Sequence, residues 1–136
     1  MMTIFSDTTQ FYTCMKALFD RVQISDPKAA EKLQKSKVIL QFNCTEPDGI
    51  IVINGRRNPA AVTYGEDRIK PEVDVTLPAD TLHSILLGDT KITKALSSGE
   101  MKVKGSVHKA LAVTDLFRRC QEIYPEVLKE QDLVST

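Results

Sequence analysis

The chain has little of the side-chain chemistry that enzymes and metalloproteins display. It contains only two histidines, His83 and His108, and neither stands in a spacing typical of a catalytic triad. We expect surface or structural roles for both. No Gly-x-Ser-x-Gly elbow surrounds Ser84, and no His, Asp or Glu cluster has the close spacing of a metal site. The sequence therefore predicts no catalytic residue, no metal and no cofactor.

Cysteine is scarce and badly placed for cross-linking. The three cysteines, Cys14, Cys44 and Cys120, are odd in number, far apart and outside any Cys-x-x-Cys spacing. Disulfide frameworks and zinc sites need closer or paired cysteines. We expect buried free thiols in a reducing compartment.

Long apolar runs and an excess of charge are also missing. No stretch approaches the roughly 20 apolar residues of a membrane-spanning helix, and the first residues do not resemble a secretory signal peptide. The final residues, Leu133–Thr136, differ from the peroxisomal Ser-Lys-Leu signal. We therefore expect a cytoplasmic protein with at most transient membrane contact.

The bulk composition fits one globular domain over residues 1–136. The chain is 42% hydrophobic and 26% charged, and 18 Lys and Arg balance 18 Asp and Glu. The basic pair Arg56-Arg57 is too small to indicate a nucleic-acid partner.

Apolar spacing predicts two helices and four strands in the first part of the chain. The first helix begins at Asp7, with Gln10 as its capping partner, and carries an apolar stripe. The second begins at Asp26 with Pro27 in its first turn. Alternating or β-branched runs predict strands over 38–44, 50–53, 60–64 and 73–77. The first stripe comprises Phe11, Cys14, Met15, Leu18, Phe19 and Val22.

The remaining chain predicts three helices around one more strand. A helix carrying Leu82, Ile85 and Leu86 ends at Gly88, and another begins at Thr90 and ends at Gly99. A strand follows from Met101. We expect Pro125 to interrupt the last helix. Strands early and helices late predict an α+β fold with a mostly antiparallel sheet. The short helix should bury Ile92, Ala95 and Leu96, and the last stripe is Val107, Leu111, Thr114, Phe117, Cys120 and Tyr124.

Residues 73–111 resemble the sterol carrier protein 2 domain family. The family runs a strand of Asp-x-Thr-Leu type into a helix that ends in Leu-Gly. A second helix with an Ala and a closing Gly follows, and then a Lys-bearing strand that ends in Gly. The matching residues are Asp74-Val75-Thr76-Leu77, Leu86-Leu87-Gly88, Ala95 with Gly99, and Met101-Lys102-Val103-Lys104-Gly105. The loop at 56–59 and the long last helix depart from the family pattern.

The resemblance implies a five-stranded twisted sheet covered on one face by helices. An apolar tunnel between them would hold a fatty acyl chain, acyl-CoA, a phospholipid or a sterol, without bond chemistry. A cation at its mouth would contact a carboxylate or phosphate, and Arg118, Arg119 and Lys104 are the candidates. The expected lipid-binding residues are Phe11, Met15, Phe19, Leu82, Ile85, Leu86, Leu96, Met101, Val103, Phe117, Cys120 and Tyr124.

The last helix has two open interpretations. Phe117, Cys120 and Tyr124 could gate the cavity, with the Tyr124 hydroxyl at a wet end and Pro125 at the edge of a movable lid. The same stripe could instead complete an ordinary core. Two alternatives to a lipid carrier also stand: a tunnel-less interaction module that forms a homodimer, and an accessory subunit of an acyl- or CoA-processing enzyme.

Overall fold

The computed structural model describes residues 4–57, 60–65, 69–106, 109 and 114–131, without the side chains of Ala30, Thr114 and Asp115. Expectations for Val107, His108 and Leu111 lie outside this part of the chain. The order of the described elements is the one that the apolar spacing predicts. The helices are α1 (Thr8–Ser25), α2 (Pro27–Ser36), α3 (Ala79–Leu87), α4 (Ile92–Ser98) and α5 (Thr114–Glu130), and the strands are β1 (Ile39–Thr45), β2 (Gly49–Asn54), β3 (Ala61–Tyr64), β4 (Val73–Pro78) and β5 (Lys102–Gly105).

The strands form one five-stranded sheet in the order β3-β2-β1-β4-β5. Strand β1 pairs in parallel with β4, and the other neighbours are antiparallel. The predicted α+β class with a mostly antiparallel sheet is therefore confirmed. Strand β5 lies at one end of the sheet, next to β4 alone.

The helices cover the sheet face to which Leu40 and Phe42 of β1 point. Alternate residues along each strand share a face, so Ile51, Val75 and Val103 join Phe42 in one row across the sheet. On the opposite face, Asn43 donates a side-chain hydrogen bond to Asp74. The apolar core thus lies on the helix-covered face.

Helix α1 is positioned by its cap and by a close approach to β2. The Asp7 carboxylate accepts a 2.7 Å hydrogen bond from the backbone N–H of Gln10, as expected for an N-cap. A Cβ at Gly49 would lie 2.9 Å from the Phe11 ring, so glycine permits this packing. The Tyr12 hydroxyl accepts a 2.8 Å bond from Ile50 N–H. Together these contacts fix the α1 stripe over the sheet.

Helix α4 differs from its prediction. Ala95 is buried, but Ile92 is 41% exposed and Leu96 is 43% exposed. The expectation that all three lie inside is wrong. This helix has only 7 residues, and it contacts the core through Ala95 rather than through a full apolar stripe. Helix α3, by contrast, ends at Gly88 with φ of 82°, as predicted.

Helix α5 continues past Pro125 instead of ending there. It runs to Glu130, and Val127 and Leu128 beyond the proline are 0% and 3% exposed. Proline removes one backbone donor, but burial of these two side chains holds the following turn in place. The predicted interruption is therefore wrong, and Val127 and Leu128 belong to the core rather than to a separate lid.

Candidate functional site

Most of the expected lipid-binding residues lie together between the helices and the sheet. They belong to one apolar cluster contributed by α1, α3, α5 and the start of β5. The members that are at most 8% exposed are Phe11, Met15, Phe19, Leu82, Ile85, Leu86, Met101, Cys120 and Tyr124.

One part of this cluster, which we term the packed end, is closed to ligand in the described conformation. It comprises the buried residues of α1 and α3 and the second half of α5. Phe11, Met15 and Tyr124 are each 0% exposed. A side chain with no accessible surface borders no void large enough for a water molecule. A lipid chain could enter here only if the core opened.

A buried polar pair stands inside the packed end. His83 Nδ1 lies 2.6 Å from the hydroxyl oxygen of Tyr124, and the Phe5 ring packs edge-on against the imidazole at 6.0 Å. His83 Nε2 is buried and has no hydrogen-bond partner among the described residues. Burial lowers the pKa of His83, while the carboxylates of Asp80 and Asp89 oppose that shift. The buried environment therefore disfavours the protonated imidazole, and the hydrogen bond to Tyr124 joins α3 to α5 inside the core.

The Tyr124 hydroxyl does not reach solvent. It bonds to His83, and it also interacts with the Cys14 thiol. The expectation of a wet end for this tyrosine is wrong, because the side chain is fully buried against His83 and α5 continues past Pro125.

The thiols are buried and free, as predicted. Burial raises the pKa of Cys14 to about 11, against a smaller lowering by the Tyr124 hydrogen bond. Burial raises the pKa of Cys44 and of Cys120 to about 12. Thiols of this kind stay protonated at neutral pH and are poor nucleophiles or metal ligands.

The expected site residues that remain accessible mark the other part of the site, which we term the β5 edge. It comprises Leu96, Val103 and Phe117. Val103 and Phe117 are half-buried and pack against the core cluster. Leu96 adjoins Ala95, whose carbonyl accepts a 3.1 Å bond from Met101 N–H at the start of β5.

The β5 edge is continuous with the core through the sheet. Val103 pairs with Val75 on β4, and Val75 pairs with Phe42 on β1. The Phe117 ring lies 6.1 Å from the Phe42 ring. Apolar contacts therefore lead from an accessible edge strand to the centre of the helix–sheet layer.

The candidate cations occupy two different places. Lys104 is exposed on β5, and Asp74 is its partner in the strand register, so it points to the sheet face opposite the helices. Arg118 and Arg119 follow Phe117 on α5 and line a cleft against α2. The described residues include no group of three or more His, Cys, Asp or Glu arranged to hold a metal.

Sequence reasoning missed residues whose roles depend on distant partners. The Phe42 ring packs near the Phe117 ring, and the centroid of the Phe5 ring lies 5.1 Å from that of Phe11. Neither Phe42 nor Phe5 was an expected site residue. Lys28 and Lys32 face the cleft opposite Arg118. Their spacing of four residues on a helix was the available signal.

A family model, the SCP-2 sterol transfer family, matches residues 15–118. This chain belongs to the SCP-2 sterol transfer family. The match extends beyond the segment that carries the resemblance and includes α1 from Met15 onward, α2, the whole sheet and the start of α5. A comparison with curated protein sequences returned no match.

Solved structures of sterol carrier proteins share this fold. Domain 2 of the sterol carrier protein from Helicoverpa armigera is 25% identical, with a TM-score of 0.67 over 83% of this chain and 89% of that one. Apo sterol carrier protein 2 from Yarrowia lipolytica is 24% identical, with a TM-score of 0.59 over 76% and 88%. Aedes aegypti sterol carrier protein-2, in complex with palmitate, is 16% identical, with a TM-score of 0.51 over 67% and 92%.

Family membership makes this an SCP-2 domain with a lipid-carrier architecture. Across the described ranges, no helix combines the length and apolar character needed to cross a bilayer. The SCP-2 fold and the predicted family are thus confirmed.

Proposed function

We propose that this chain is a single-domain cytoplasmic lipid carrier that shields an acyl chain, acyl-CoA, phospholipid or sterol without making or breaking bonds. The β5 edge carries the proposal, because it is an accessible apolar surface continuous with the core of an SCP-2 domain. The palmitate bound by the Aedes aegypti protein supports an acyl chain as ligand. Three buried free thiols suit a reducing compartment.

Burial of an acyl chain supplies enough free energy for such a function. Each methylene removed from water contributes about 0.8 kcal/mol. A chain of about twelve carbons thus gains roughly 9 kcal/mol before ordering and association costs. Binding in the micromolar range, which needs about −8 kcal/mol net, follows only if those costs are small or the chain is longer.

The packed end directs the ligand to the β5 edge. Phe11, Met15 and Tyr124 border no water-sized void. A bound acyl chain must therefore make its first contacts where apolar surface is accessible. Strand β5 pairs with one neighbouring strand, and α4 contacts the core through the buried Ala95. Elements with few buried contacts open at the lowest free-energy cost. We therefore expect a bound acyl chain to insert between the sheet and helices α4 and α5, next to Val103 and Phe117.

Substitution of Val103 by Trp tests this proposal. The bulky ring should fill the entry and weaken binding of a fluorescent C16 fatty acid at least tenfold. Ile24→Trp is the matched control, because Ile24 is 82% exposed on α1. The natural chain has no tryptophan, so each variant carries one reporter for energy transfer to the ligand. Equal affinity in the two variants, with circular dichroism unchanged, would refute entry at the β5 edge.

The tunnel-less homodimer is the second candidate, and the exposed pair on α4 favours it. Ile92 and Leu96 lie one turn apart and are 41% and 43% exposed. A dimer through this pair predicts a doubled mass by light scattering that reverts in the Ile92→Ser/Leu96→Ser variant. The third alternative, an accessory subunit, predicts instead a stable complex with an acyl- or CoA-processing enzyme.

A further inference from the structure

A polar cleft separates α2 from the first half of α5. Its volume is about 310 Å³, at the lower end of the range for small-molecule pockets. Lys28 and Lys32 line one wall, Arg118 and Arg119 line the other, and the buried Ala29 lies between them. The small alanine side chain leaves the space between the cationic walls open.

The two carboxylates in the cleft are already engaged. Asp26 Oδ2 lies 3.1 Å from Arg119 Nε, and Asp26 Oδ1 accepts a 3.3 Å bond from Ala29 N–H at the start of α2. Glu122 forms an ion pair with Arg119 Nη1. Arg119 is therefore held in place by protein groups.

The remaining cations give the cleft an excess of positive charge. Among the described lining residues, four cations accompany two carboxylates, a difference of +2, and Lys32 is one of the cations that already has an interaction within the protein. The whole chain has a net charge of zero. Lys28 and Arg118 are exposed, and within the described part of the chain neither forms an ion pair. A guanidinium and ammonium groups converging on one space are the donors that phosphate oxygens prefer.

The cleft also adjoins the proposed lipid entry. Arg118 follows Phe117 directly, and consecutive residues on a helix point about 100° apart. A lipid chain at Phe117 would reach Arg118 if its polar head turns around α5 toward α2.

We propose that this cleft binds the phosphate-bearing head of the lipid that the domain carries. The inference rests on the proposed function. The same cationic donors equally suit free phosphate, so the experiment separates the two sources.

Two ligands that share an alkyl chain and differ in their head groups test this proposal. Dodecanol and dodecyl phosphate, kept below their micelle-forming concentrations, are titrated calorimetrically into the full chain, with inorganic phosphate as a third ligand. We expect dodecyl phosphate to bind roughly tenfold or more tightly than dodecanol. The preference should shrink at high salt, because exposed charges are screened.

Two double variants assign the preference to the cleft. Lys28→Gln/Arg118→Gln should abolish it and leave dodecanol binding unchanged. Lys91→Gln/Lys94→Gln removes the same charge from two exposed positions, the N-cap and the first turn of α4, and should retain the preference. Retention in the cleft variant, equal loss in both variants, or loss in Lys104→Gln instead would overturn the proposal.

The remaining outcomes separate this inference from the proposed function. Inorganic phosphate that binds as tightly as dodecyl phosphate would overturn the assignment to a lipid head. Failure to bind dodecanol would refute the apolar site. In that case amide NMR with inorganic phosphate decides the cleft alone: shifts at residues 28–32 and 118–122 that vanish in the cleft variant support an anion site, and their absence refutes it.

Discussion

Helix α5 contributes to both the packed end and the β5 edge, and its two contributions differ in burial. Phe117 and Tyr124 on α5 are separated by about 10 Å along the helix axis. Tyr124 is fully buried and hydrogen-bonded to His83, whereas Phe117 is half-buried against Phe42. One end of α5 is therefore closed to solvent, and the other keeps accessible apolar surface. An apolar stripe by itself does not distinguish these two roles.

Truncation after Tyr124 should give the largest effect on the packed end. It removes Val127 and Leu128, which are 0% and 3% exposed. Burial of two such side chains contributes about 3–6 kcal/mol, so urea unfolding should show a loss of that order. Glu126→Gln/Glu130→Gln removes only the exposed ion pairs with Arg21 and should cost less than about 1 kcal/mol. A truncated chain as stable as the full chain would restore the lid interpretation.

Replacement of a phenylalanine at each end compares the two regions directly. Phe11→Ala should lower the free energy of unfolding by about 3–5 kcal/mol, because it leaves a cavity in a closed core. Phe117→Ala should cost less than about 2 kcal/mol, since the ring is already partly exposed. Equal losses in chemical denaturation would mean that the β5 edge is as tightly packed as the other end.

The sequence predicted the elements well and their accessibility poorly. The stripe on α1 and the capping residue Asp7 are local patterns, and the structure bears both out. Exposure of Leu96 and continuation of α5 past Pro125 depend on neighbours distant in sequence. Local spacing carries no information about such neighbours.

The candidate site shows the same difference between local patterns and contacts that depend on distant residues. Family resemblance identified the residues that surround the helix–sheet layer, but it did not separate those that are closed from those that remain accessible. The His83–Tyr124 hydrogen bond joins residues 41 positions apart, and the cationic cleft joins α2 to α5. Neither the hydrogen bond nor the cleft corresponds to a short sequence motif.

The His83–Tyr124 pair should give an intermediate effect. Tyr124→Phe removes the hydroxyl and leaves His83 Nδ1 buried without its partner, which costs about 1–3 kcal/mol. In the His83→Phe/Tyr124→Phe double variant both polar groups are gone, so the combined loss should be smaller than the sum of the single losses. Strict additivity in unfolding measurements would show that the hydrogen bond contributes nothing.

The smallest effect concerns pH. Burial lowers the pKa of His83 from its ordinary value of 6.5, so the folded state binds a proton less readily than the unfolded state. The resulting stability is complete above the unfolded pKa and is lost as the pH falls through and below it, by at most about 1.4 kcal/mol per pH unit. Unfolding free energies measured from about pH 7.5 to about pH 5 should fall less steeply in His83→Gln than in the natural chain. Identical slopes would place His83 in contact with solvent.

Paramagnetic broadening by a spin-labelled fatty acid tests most directly whether lipid binds at the β5 edge. Methyl NMR signals of Leu96 and Val103 should broaden on addition of stoichiometric label, while those of Val22 and Val127 in the packed end stay sharp. Reduction of the label should restore the lost intensity. Broadening confined to Val22 and Val127, or absent from all four residues, would contradict lipid binding at the β5 edge.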